Sequence, residues 1–120
     1  MEIYKAKVLG FCYGVKRAMK IVNDTSQEGQ PVVTLGPLIH NPQAVKRLMN
    51  RGVRSVNNLE EVKNKEIVII RSHGVGPSCY NDIKCKNLTL VDATCPFVKR
   101  NQDIAKKLSH EGHQLILIGE

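Results

Sequence analysis

Short apolar runs alternate along this chain with stretches whose apolar residues recur at helical spacing. Runs at 2–8, 31–35, 66–70, 88–91 and 114–118 have the length and composition of strands, and a shorter one is expected near 53–56. Between them, Val15, Ala18, Met19 and Val22 recur at i, i+3, i+4 and i+7, which predicts a helix directly after Cys12. Asn41 followed by Pro42 reads as an N-cap with proline at the first helical position, and Gly52 ends that helix. Pro77 and Pro96 open two further helices in the same way, and Gly112 closes the last. Strands and helices in this order predict an α/β fold. Its sheet is expected to be mostly parallel, with helices on its faces, built from repeated βαβ units.

The pattern also repeats. Residues 12–36 align without a gap on 95–119, each copy opening with a cysteine, and nine of the 25 positions are identical. Cys12, Val15, Lys16 and Arg17 lie over Cys95, Val98, Lys99 and Arg100; Ile21, Ser26, Glu28, Gly29 and Gly36 lie over Ile104, Ser109, Glu111, Gly112 and Gly119. Ordinary composition would give roughly one or two identities over such a length. A repeat of this kind sets similar supersecondary units side by side and brings their equivalent loops together. The first domain is therefore expected to span 1–94, with 95–120 the truncated beginning of a second. Because the last strand-like run ends at the chain terminus, within the second copy, the sequence reads as a piece of a longer protein.

Composition narrows the class. With 120 residues and 42% hydrophobic content, the chain can form a packed domain. No apolar run reaches the roughly 18–20 residues of a membrane span, and the start does not resemble a signal peptide, so a cytoplasmic location is expected. The four cysteines are not spaced like a secreted disulfide scaffold; in a reducing compartment they point to metal ligation, catalysis or plain packing. The formal charge of +7 would suit nucleic acid, but the basic residues are dispersed, aromatic residues make up only 4%, and no nucleic-acid-binding motif is present. An anionic small ligand or an acidic protein partner accounts for the charge equally well.

Placed on the expected scaffold, the polar oddities converge. Cys12, His40, His73 and Cys95 each fall between a strand and the following helix, at the carboxyl edge where parallel α/β sheets bind ligands. Each also precedes a helix N-terminus, whose free N–H groups favour thiolates and phosphates. Cys95, in Asp92-Ala93-Thr94-Cys95-Pro96, is held extended by the proline, with its sulfur at the helix mouth. A lone cysteine is more often a packed thiol. The equivalent place of Cys12 in the other copy favours a shared centre instead. His40 and His73 together suit donation to an anion, with Asn41, Ser72 and Thr94 as possible neutral donors, although capping is the simpler duty for Asn41. Cys79 and Cys85, six apart on one helix, face different sides and are assigned to structure, Cys79 packing inward beside Ile83. His110 and His113 flank a helix end, where a cation is favoured. On residues alone, a tetrahedral Cys₂His₂ zinc site and a metal-free module for phosphorylated ligands or RNA both remain open beside a shared centre with a soft ligand from each copy.

Specific segments carry a resemblance. Gly10-Phe11-Cys12-Tyr13-Gly14-Val15, the run from Gly36 to Pro42, Ser72-His73-Gly74-Val75, Asp92-Ala93-Thr94-Cys95-Pro96 and Glu111-Gly112-His113-Gln114 resemble, in order, the 4-hydroxy-3-methylbut-2-enyl diphosphate reductase family. Tyr13 stands where many members have a small residue. The resemblance implies the amino-terminal portion of an enzyme with three similar α/β domains in pseudo-threefold array around a 4Fe-4S iron–sulfur cluster. It implies that Cys12 and Cys95 are two of three cluster ligands and that His40 and His73 hold the substrate diphosphate. The implied reaction is reductive removal of the allylic hydroxyl, giving isopentenyl and dimethylallyl diphosphate in the non-mevalonate isoprenoid pathway. An acidic electron donor such as ferredoxin or flavodoxin is implied as partner. The third cysteine and the proton-donating glutamate are expected beyond Glu120, so this piece alone is expected to be inactive.

Overall fold

A computed structural model describes residues 1–118. Its elements in chain order are helix α1 (Tyr13–Gln27), strand β1 (Val32–Leu35), helix α2 (Pro42–Met49), strand β2 (Arg54–Val56), a 3₁₀ turn (Leu59–Glu61), strand β3 (Ile67–Ile70), helix α3 (Pro77–Cys85), strand β4 (Thr89–Asp92) and helix α4 (Pro96–His110). The strands form one wholly parallel sheet of order β2-β1-β3-β4. Val33 lies opposite Arg54 on one side and Val68 on the other, and Val68 in turn lies opposite Leu90.

Side chains of successive strand residues point to opposite faces, and both faces are covered. Val32, Ile67 and Ile69 pack with Ala18 and Val22 of α1 and Ala44 and Leu48 of α2. Val33, Val68 and Ile70 pack on the other face with Val56, Leu59 and Ile83 of α3. Burial of β3 on both faces explains its uninterrupted Ile-Val-Ile-Ile sequence. The expected starts hold: the Asn41 side chain accepts the Ala44 N–H at 2.9 Å, and Pro42, Pro77 and Pro96 each begin a helix.

Two expected strands are absent. Residues 2–8 and 114–118 have no regular structure and expose Ile3, Tyr4, Val8, Ile116, Leu117 and Ile118. A strand exists only through a ladder with a neighbour, and neither segment has one within the described residues. Cys12 therefore follows an irregular segment, in contrast to the strand that the apolar run at 2–8 suggests.

The repeat is plain in the helices. Both α1 and α4 run for 15 residues, both have an extended cysteine at the N-cap, and both end at a glutamate. A left-handed glycine follows each, Gly29 at φ 78° and Gly112 at φ 82°. Gly119, the counterpart of Gly36, lies outside the described residues.

Candidate functional site

The strand order creates a divergence. From β1 the chain turns aside to β2; from β3 it turns the opposite way to β4. The loops after these two adjacent strands therefore part and leave a crevice at their carboxyl ends, the usual ligand position in such sheets. His40 lies in the first loop and His73 in the second, and their rings stack with centroids 4.8 Å apart and planes inclined by 21°. Both side chains are exposed. Partial desolvation, then the neighbouring His40 and Arg71, lowers the His73 pKa below its ordinary value, since each disfavours the imidazolium. Arg71 also reaches toward Gly36, where a methyl group would lie 3.2 Å from its Nη1. Its Nε is buried and, among the described residues, has no hydrogen-bond partner. A guanidinium N–H without a partner beside two stacked imidazoles makes this crevice suited to an anion.

Ser72 ties the histidine loops to the thiol loop. Its N–H and its hydroxyl both donate to the Leu38 carbonyl, at 3.4 and 3.3 Å, while its own carbonyl accepts the Cys95 N–H at 2.8 Å. Cys95 is the N-cap of α4 and Cys12 the N-cap of α1; neither thiol makes a capping bond. Both are free. The two helix mouths adjoin: a methyl group built on Gly14 would meet Cys95 Sγ at 2.6 Å. Arg17 of α1 donates to the Thr94 carbonyl at 3.2 Å, and the Tyr13 and Phe97 rings meet edge to face at 6.0 Å.

The Cys95 loop is held from its other end by Asp92. One carboxylate oxygen accepts from the Thr94 N–H and hydroxyl, the other from the Tyr80 hydroxyl at 2.9 Å. Burial alone would raise the Asp92 pKa, but these hydrogen bonds outweigh it and hold the carboxyl below its ordinary value. A cavity of about 820 Å³ opens beside His73, lined also by Arg71, Tyr80, Lys99, Gln102 and Lys106. Asp103 also lines it and pairs with Lys99 at 3.1 Å, but Arg71, Lys99 and Lys106 outnumber this one carboxylate, and the net positive lining suits an anionic ligand.

The four residues expected to converge are thus brought to one edge as two pairs, the imidazoles stacked and the thiols at adjoining mouths. A Cys₂His₂ zinc site does not form: among the described residues no group of three or more His, Cys, Asp or Glu is placed to hold a metal ion. The expectation of Ser72 and Thr94 as free donors is also corrected, because both hydroxyls donate within the fold. Cys79 packs against the core as expected, and burial raises its pKa; Cys85 is exposed. His113 approaches Glu111 at 3.7 Å beside the end of α4. Residue reasoning did not single out Arg71, Arg17 or Gly14. Arg71 was within reach, standing directly before Ser72-His73 as a cation closing a buried apolar strand. Arg17 and Gly14 act through contacts about 80 positions away in sequence, which no local pattern reports.

Among the described residues no helix is long and apolar enough to cross a membrane. Residues 3–120 match a family model described as LytB protein. The chain is 46% identical over 120 residues to the 4-hydroxy-3-methylbut-2-enyl diphosphate reductase of Geobacter sulfurreducens, covering all of this chain and 42% of that one. It is 44% identical over 121 residues to the protein of that name from Clostridioides difficile, covering 43% of it. A solved structure of (E)-4-hydroxy-3-methyl-but-2-enyl diphosphate reductase, described as the terminal enzyme of the non-mevalonate pathway, superposes with a TM-score of 0.80 at 46% identity, over 92% of this chain and 40% of that one. The E-1-hydroxy-2-methyl-but-2-enyl-4-diphosphate reductase of Plasmodium falciparum superposes with a TM-score of 0.87 at 31% identity, over 92% of this chain and 35% of that one. The chain thus spans about two fifths of the length of the curated relatives it matches.

Proposed function

The chain belongs to the LytB protein family, and from that premise we propose that it is the amino-terminal part of a reductase acting on 4-hydroxy-3-methylbut-2-enyl diphosphate. The reaction consumes the allylic alcohol, two electrons and two protons; the C–O bond breaks, and isopentenyl or dimethylallyl diphosphate leaves together with water. The observation that carries the proposal is the approach of the Cys95 sulfur to the first turn of the Cys12 helix. It puts two uncapped thiols at adjoining mouths, two soft ligands of the kind that hold an iron–sulfur cluster.

Cys12 and Cys95 would hold two irons of a 4Fe-4S cluster, the third ligand coming from sequence outside this chain. Such a cluster, when bound, would supply electrons and Lewis-acid character. The chain's own side chains do the positioning. His40 and His73 would donate N–H groups to the diphosphate, each charge-assisted bond contributing about 1.5–3 kcal/mol. Arg71 adds a fixed positive charge behind them. Because His73 starts with a lowered pKa, an arriving anion would raise it again, so substrate binding takes up a proton and tightens as the pH falls. The boundary between first and second domains is placed at 94/95, where the repeat begins again. An acidic donor such as ferredoxin or flavodoxin suits the net charge of +7, and a cytoplasmic location suits four unpaired thiols.

The test is the full-length protein purified without oxygen. It should be brown, carry iron and acid-labile sulfide in equal amounts, and convert the substrate. Iron-free, sulfide-free protein would overturn the reading. His40→Asn should raise KM several-fold with a smaller change in kcat, and an unchanged KM would remove His40 from the diphosphate site.

A further inference from the structure

Gly14 is the second residue of α1, is buried, and stands where the repeat places Phe97 in α4. Its φ does not lie in the left-handed region that makes glycine necessary elsewhere in the chain. Glycine within a helix also costs up to about 1 kcal/mol relative to alanine. Backbone conformation therefore gives no reason for glycine here. The packing does. A methyl group at this position would lie 2.6 Å from Cys95 Sγ and 2.9 Å from Cys95 Cβ, well inside contact distance.

Cys95 has little room to give way. Its N–H is bonded to the Ser72 carbonyl at 2.8 Å, and its carbonyl accepts the Lys99 N–H at 2.9 Å. Arg17 holds the preceding carbonyl from the same helix that carries Gly14. The remaining freedom is rotation of the thiol, which would swing the sulfur away from α1.

We infer that Gly14 is a positioning residue for Cys95: the missing side chain is the seat of the sulfur and sets the spacing of the two thiol-bearing helix mouths. Its bearing on cluster assembly rests on Cys12 and Cys95 ligating the same cluster. The steric seat itself does not.

Two measurements on the full-length protein separate these levels. In anaerobically purified Gly14→Ala, iron and sulfide per chain should fall about ten-fold, the lower end of what disturbing a ligand's support costs. In metal-free protein, Gly14→Ala should lower Tm. The same substitution made in a Cys95→Gly background, where both crowded atoms are gone, should raise Tm, because alanine then contributes only its better helix propensity. A Tm shift of equal sign and size in both backgrounds would overturn the seat, and undiminished iron and sulfide in Gly14→Ala would overturn its bearing on cluster assembly. If Gly14→Ala does not fold, recovery of folding in the double variant supports the proposal and continued failure overturns it. Should the unaltered protein carry no iron or sulfide, the reductase reading fails by itself, while the reversal of the Tm shift still decides whether Gly14 seats the sulfur.

Discussion

The two copies of the repeated unit begin alike and end differently. Residues 12–35 and 95–118 both start with an extended cysteine and a helix of 15 residues that closes at a glutamate. In the first copy the helix buries Gly14, Ala18, Val22 and Thr25, and β1 follows within the sheet. In the second the helix buries nothing, and 114–118 joins no ladder. Caps and helix length are written into nearby residues and emerge wherever the sequence occurs. A strand needs a partner from elsewhere in the chain, so the same pattern yields β1 in one copy and an irregular segment in the other.

The comparison is sharpest at the thiols. If the two mouths are equivalent ligands, Cys12→Ser and Cys95→Ser should each strip the full-length protein of iron and sulfide, by more than about ten-fold. Retention of metal in one variant alone would break the equivalence, and elemental analysis reads the difference directly. The next effect follows from burial. Val22→Ala opens a cavity beneath α1 and should cost roughly 2 kcal/mol, whereas Ile104→Ala on the exposed face of α4 should stay within about 0.5 kcal/mol. Urea midpoints of the two variants of this chain decide between them.

Ion pairs extend the contrast to charge. Glu66 is buried and accepts from the Lys63 N–H at 2.6 Å and from Arg54 Nη2 at 2.8 Å. Desolvation would raise its pKa, but these bonds outweigh it and hold the carboxyl below the ordinary glutamate value. A carboxylate with a lowered folded pKa contributes stability above its unfolded pKa and loses it as the pH falls through the folded one. Glu66→Gln should therefore cost about 1–3 kcal/mol at neutral pH and flatten the acid side of the stability profile. Glu111→Gln, which removes the exposed pairing with Lys107 at 3.8 Å, should change stability by less than about 0.5 kcal/mol. The smallest effect concerns His73. As the pH falls through the ordinary histidine range the unfolded chain takes up its proton first, so stability drops until the lower folded pKa is passed. His40→Asn removes one of the charges depressing it, and the His73 titration midpoint read by NMR should move upward while remaining below that of free histidine.

Legibility in the sequence divides along the same line. Asn41-Pro42, Pro77 and Pro96 mark helix starts because capping is a matter of adjacent residues. The parallel sheet was legible from alternation, since only crossovers of helical length connect such strands. The runs at 2–8 and 114–118 misled because apolar composition records a tendency to pair without naming the partner. That His40, His73, Cys12 and Cys95 gather at one edge was legible through their loops and through the repeat. Which of them touch was not: the stacking of His40 on His73 follows from β1 and β3 being neighbours, and the place of Cys95 Sγ follows from a glycine in another helix.

Ser72 leaves a mechanical mark on the molecule. Its N–H donates to the loop that carries His40, and its carbonyl accepts from the first residue of the second copy. Together with the Ala93 N–H on the Ile70 carbonyl and Arg17 on Thr94, this makes a rigid elbow of the junction between the copies. Bending there would break several bonds at once. Any opening that admits a ligand must flex elsewhere, and the Cys95 amide proton should be among the last near this edge to exchange with solvent.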